Sequence, residues 1–169
     1  MEAVPHVPTA APHRLDASTL GAQVGVGVTE LTGLETGGSP ILSYHIEVDQ
    51  AGGGTGPWTE VAGGTTDSLV LEHVVASLVP GDMYFFRYRA RNRHGWSDGY
   101  SPVQAILLAT VPGAPAAART ANAGLDVVVD WDAPVDDGSA PTLGYRITLK
   151  GADGLFLVEA TACDGLGAD

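Results

Sequence analysis

The chain has 169 residues, 44% of them hydrophobic, with 23 Gly, 11 Pro and 20 acidic against 8 basic side chains, a net charge of −12. This composition excludes a disordered chain, disfavours long helices and points to an all-β fold, while the negative field repels phosphate backbones and anionic lipid surfaces, so nucleic acid is not an expected partner. The lone Cys163 excludes an internal disulfide, so the core must hold the fold, and the compartment stays open.

The charge is shared evenly: residues 1–110 carry 5 basic and 11 acidic groups and residues 111–169 carry 3 and 9, so each part is −6. The N-terminus has no basic start followed by an apolar run, so no signal peptide is expected there. The most apolar stretch, residues 105–118, is broken by Pro112, Gly113 and Pro115, so no membrane span is expected.

Residues 1–13 combine proline, alanine, His6 and His13 without periodicity and read as a leader, flexible over residues 1–7, that runs into a first strand. Two histidines without further ligands make no metal site. Val24, Val26 and Val28 alternate with Gly25 and Gly27, a second strand with an almost bare outer face. After the turn Gly37-Gly38-Ser39-Pro40, Tyr44, Ile46 and Val48 alternate with His45, Glu47 and Asp49 as the third strand. The glycines of residues 52–56 lack the Gly-Lys-Ser/Thr of a phosphate cradle and read as a loop. Trp58, Thr59, Glu60 and Val61 supply a short strand, and Ser68, Leu69, Val70 and Leu71 another.

Residues 78–101, LVPGDMYFFRYRARNRHGWSDGYS, hold a turn, a long alternating strand and a second turn. Tyr84, Phe86, Tyr88 and Ala90 fall on one face and Arg87, Arg89, Arg91 and Arg93 on the other, a strand period that no helix reproduces. Leu78-Val79-Pro80-Gly81 followed by Tyr84 resembles the tyrosine corner of the fibronectin type III family, and Asn92, Gly95 and Ser97 continue that resemblance. It implies an immunoglobulin-like, seven-stranded antiparallel sandwich over residues 8–110, closed by a last strand at residues 103–108. It also implies that the Tyr84 hydroxyl bonds backbone of the turn before it. Trp96-Ser97 and Tyr100-Ser101 resemble the Trp-Ser repeat of cytokine-receptor modules, where aromatic rings stack between strand arginines.

A repeat then appears. Pro40 and Tyr44 return 101 residues on as Pro141 and Tyr145, and Leu125, Val127, Val129 and Trp131 stand where Val24, Val26, Val28 and Glu30 stood. Residues 111–115 read as a linker and residues 116–169 as an incomplete second copy of the module with a fourth strand at residues 155–160, so the chain reads as a fragment of a longer array or as a partner completed by another chain's strand. In the first copy Glu30 occupies the position of the core Trp, and Leu31 can replace it through a bulge.

No catalytic, cofactor or metal residues are expected. His94, Ser97 and Asp98 are neighbours in a turn and would point apart rather than converge as a triad does. Asp130, Asp132, Asp136 and Asp137 lack the spacing of a calcium loop. No Arg-Gly-Asp triplet occurs. The expected role is a non-catalytic spacer or protein-interaction module of a tandem array in a larger surface or cytoskeletal assembly; the alternatives are an accessory module of a multidomain enzyme and a carbohydrate-binding surface on Trp58, Trp96 and Tyr100. The candidate partner surface is Arg87, Arg89, Arg91, Arg93, Trp96 and Tyr100. Because the sixth strand lies beside the third in such a sandwich, the row is expected either to pair internally with His45, Glu47 and Asp49, with Trp96 or Tyr100 stacked over it, or to recruit an acidic protein.

Overall fold

Alternation along two strands builds the first of two units, Met1–Val111 and Pro112–Asp169. The computed structural model describes residues 2–50 and 52–158. From β3 (Ile41–Asp49) Tyr44, Ile46 and Val48 turn inward, and from β6 (Met83–Asn92) Tyr84, Phe86, Tyr88 and Ala90 do the same, all of them buried. These two strands pair antiparallel at the centre of one sheet, with β4 (Trp58–Ala62) on the far edge of β3. Along the far edge of β6, β7 (Gly95–Trp96) meets one end and β8 (Gln104–Leu107) the other.

The facing sheet has the order β1-β2-β5, from β1 (His13–Leu20), β2 (Gln23–Gly27) and β5 (Glu72–Val75), all antiparallel. Val24, Val26 and Val48 pack with Leu78, Tyr84, Phe86, Ile106 and Leu108 in one cluster, and Val28, Leu31, Tyr44, Ile46, Tyr88 and Ala90 form a second. Each fully buried aliphatic or phenylalanine side chain of that size contributes about 1.5–3 kcal/mol, and together they hold the two sheets of this all-β, immunoglobulin-like sandwich.

The bare face of β2 has a physical reason. A Cβ at Gly27 would lie 2.5 Å from Nε2 of His13, and one at Gly25 would lie 2.6 Å from Cβ of Ser18, so side chains of β1 occupy the space the glycines leave. His13 is therefore part of the sheet surface. Leu31 does enter the core, with its N–H donating to the Tyr44 hydroxyl at 2.9 Å, while Glu30 is exposed; the chain has left β2 after Gly27 and needs no bulge there.

Two expectations need correction. The strand placed at residues 68–71 lies at Glu72–Val75 instead. Ser68 O accepts the Tyr44 N–H of one sheet and Leu71 O accepts the Val28 N–H of the other, so residues 68–71 are the crossing between sheets and cannot stay in either. Residues 2–8, read as a flexible leader up to residue 7, form no strand but lie fixed against the sandwich. Ala3 N–H donates to Gly37 O, His6 N–H donates to Glu35 O, and Pro5 and Pro8 are buried.

In the second unit β9 (Arg119–Ala123) and β10 (Asp126–Asp130) form one hairpin, and β11 (Thr148–Lys150) and β12 (Phe156–Val158) another. Trp131 and Tyr145 meet edge to face with ring centroids 5.6 Å apart. Of the strand expected at residues 155–160, the last two residues lie outside the described residues, as does Cys163. Among the described residues no helix is long and apolar enough to cross a membrane.

Candidate interaction face

The alternation of β6 sends Arg87, Arg89 and Arg91 to the outer face, and register places Glu47 opposite Arg87, His45 opposite Arg89 and Ser43 opposite Arg91. Glu47 is the hub. Its Oε2 accepts Nε of Arg87 at 2.8 Å and lies 2.7 Å from the terminal Nη2, so one oxygen takes both nitrogens of the guanidinium; its Oε1 accepts the Tyr100 hydroxyl at 3.1 Å and lies 3.6 Å from Nε2 of His45. The other ring nitrogen of His45, Nδ1, accepts Nε of Arg89 at 3.3 Å, which fixes the neutral tautomer with its proton on Nε2, facing Glu47. Burial holds the His45 pKa below the ordinary histidine value, with Arg89 and Arg87 pushing the same way and Glu47 and Glu60 pulling back. Burial, then Glu47, raises that of the Tyr100 phenol.

Aromatic rings fill the gaps between the guanidiniums. Arg87 Cζ lies 4.0 Å from the Trp58 ring and 3.9 Å from that of Tyr100; Arg89 Cζ lies 4.7 Å from Trp96 and 4.8 Å from Tyr100; Arg91 Cζ lies 5.6 Å from Trp96. The result is an alternating stack, Trp58, Arg87, Tyr100, Arg89, Trp96, Arg91, in which each contact contributes about 0.5–2 kcal/mol. Arg91 pairs with both carboxylate oxygens of Asp67, and Arg93, the most exposed of the four, with Glu2.

All six candidate residues therefore lie on or beside one sheet face, with Arg93 at its margin. Asp49 does not take the expected place opposite the row. Its register partner is Phe85, and the loop after β3 folds over it, with Gly56 N–H donating to its Oδ2 at 3.0 Å. Trp58, Asp67 and Glu2 join the row without a sequence signal that places them there. Trp58 follows a glycine loop whose length hides the register, and Asp67 and Glu2 reach the row from outside the strands.

The other polar groupings do not converge. Ser97 Oγ donates to Gly99 O, whereas His94 Nε2 lies 3.1 Å from Glu2, so these residues and Asp98 make no triad. Asp130 and Asp132 both accept from Arg119. The Tyr84 hydroxyl accepts Val79 N–H at 2.7 Å, the bond a tyrosine corner requires.

No family model matches the chain. The chain is similar to fibronectin type-III domain-containing protein 3a of Gallus gallus, 35% identical over 127 residues that cover 73% of this chain and 10% of that protein. It is also similar to human myomesin-2, 34% identical over 114 residues, covering 65% of this chain and 7% of that one. The chain thus spans a tenth or less of the length of these relatives. Among solved structures, a crystal structure of titin domains aligns with 62% of this chain and 32% of its own, at 24% identity and a TM-score of 0.48. With the tyrosine corner, the two-sheet sandwich and a relative that carries the domain in its name, the chain belongs to the fibronectin type III family.

Proposed function

We propose that the chain is a non-catalytic part of a tandem fibronectin type III array, with one module at residues 8–110, a linker at residues 111–115 and a second copy beginning at residue 116, serving as a spacer and protein-binding surface in a larger surface or cytoskeletal assembly. One observation carries this reading: the charged and aromatic groups of the outer face bond one another along a rigid sheet instead of converging on a cavity. A catalytic site needs groups aimed at a common point where a reacting atom sits. A flat, pre-ordered row of arginines and rings matches instead the residue types that dominate protein-binding surfaces.

The second copy is supported by the hairpin β9–β10, which carries Val127 and Val129, and by the Trp131–Tyr145 contact at the positions the repeat assigns. Carbohydrate stacking on Trp58, Trp96 and Tyr100 is disfavoured, because guanidiniums already lie against these rings, two of them against Tyr100. Purified chain assayed against ester, amide, phosphoester and glycoside substrates is expected to give turnover equal to buffer alone. Turnover lost on one substitution of a face residue would overturn the reading.

A further inference from the structure

The three neighbours of Arg89 in the row each have a carboxylate: Arg87 has Glu47, Arg91 has Asp67 and Arg93 has Glu2. Arg89 has none. Its Nε is held by a neutral His45, and no carboxylate is paired with its terminal nitrogens among the described residues. Trp96 and Tyr100 flank the guanidinium, and His45 itself packs on both rings, with centroids 5.6 Å and 6.1 Å away.

A guanidinium held this way has already lost the rotamer freedom that an exposed arginine gives up on binding, and its fork of N–H donors matches a planar carboxylate. Four of the chain's eight basic residues are Arg87, Arg89 and Arg91 on β6 and Arg93 just after it, yet only Arg89 lacks a paired carboxylate among the described residues. A single local excess charge suits a single carboxylate, whereas a nucleic-acid backbone needs several cations and meets the field of the remaining acidic surface. We propose that Arg89, framed by Trp96 and Tyr100, is the docking point for an aspartate or glutamate side chain of a protein partner. This rests on the reading of the face as a protein-binding surface.

The test is an NMR titration of the full chain, labelled at arginine and tryptophan side chains, with a hexaglutamate peptide and with hexaglutamine as the uncharged control. Hexaglutamate is expected to shift the Arg89 Nε–H and the Trp96 indole N–H together and saturably, and hexaglutamine neither. Arg89→Gln is expected to weaken binding by about tenfold or more and Arg89→Lys, which keeps the charge but not the fork, by a similar factor, with Arg93→Gln within about twofold of the parent. No shift at Arg89 up to millimolar peptide, or equal weakening by Arg93→Gln, would overturn the assignment. The turnover assay is independent of that result, so failure of the docking point and failure of the non-catalytic reading are told apart.

Discussion

Glu47 gathers three side chains on two oxygens, and its bond to Arg87 is the most sheltered ion pair of the row, with 13% and 24% of the two side chains exposed. An exposed pair contributes about 0–1 kcal/mol, and partial burial with two charge-assisted contacts to one oxygen places this one at the upper end. A double-mutant cycle with Glu47→Gln and Arg87→Gln is expected to give a coupling of about 1 kcal/mol in denaturant melts. A coupling of zero would show that the stack, not the ion pair, holds Arg87. His45 gives the row a pH dependence. Its folded pKa is depressed, so between the ordinary value of 6.5 and the folded value the unfolded chain binds a proton that the folded chain does not, and stability falls as the pH drops through that window. The groups that face it are Glu47 on its own strand, Arg87 and Arg89 on β6 and Glu60 on β4. The denaturant midpoint should decline from about pH 7.5 to about pH 5.5, and His45→Asn should flatten that decline. Tyr84→Phe keeps a buried ring and removes the bond to Val79, for an expected loss of about 0.5–1.5 kcal/mol; an unchanged midpoint would mean that the corner contributes nothing.

At the scale of elements, the N-terminal segment acts as a strap across one end of the sandwich. Asn92 Nδ2 donates to both Ala3 O and Thr36 O, and a Cβ at Gly37, whose φ is 68°, would lie 2.4 Å from the carbonyl oxygens of Ala3 and Val4. Removing residues 1–8 exposes the apolar surface that Pro5 and Pro8 cover and takes from the Asn92 amide one of its two acceptors, leaving Thr36 O, so a loss of about 1–3 kcal/mol is expected in a thermal or denaturant melt. An unchanged melt would show that the strap is held loosely in solution. The strap also shows what the sequence hides. A two-residue period made β2, β3 and β6 legible, because each has one buried face, and the same period set the arginines on the outside. Prolines carry no period, so Pro5 and Pro8 read as chain breakers although both are buried. Residues 68–71 looked like a strand for the converse reason: their composition suits one, but their hydrogen bonds go to two different sheets. Asp49 follows the period correctly and is then covered by a loop whose path depends on distant contacts.

Across the whole molecule, the buried hydrophobic side chains among the described residues all belong to the first unit, and of the described residues of the second only Gly138 is buried. Residues 1–111 alone should therefore melt as cooperatively as the full chain, while residues 112–169 alone should give no cooperative transition by circular dichroism. A sharp melt of monomeric residues 112–169 would contradict this.

β6 also decides how the first unit meets a pulling force. Its last residue, Asn92, holds the N-terminal strap, and its first, Met83, pairs with Leu107 just before the chain leaves the unit, so entry and exit lie at opposite ends of a ten-residue strand, about 30 Å apart at about 3.3 Å per residue. Tension between the two ends runs parallel to the strands. β8 must then slide along β6 with its hydrogen bonds strained together, rather than peel away one bond at a time. Arg14 of β1, whose guanidinium donates to Leu107 O at 2.7 Å and to Ala109 O, grips the chain at the point where that load enters.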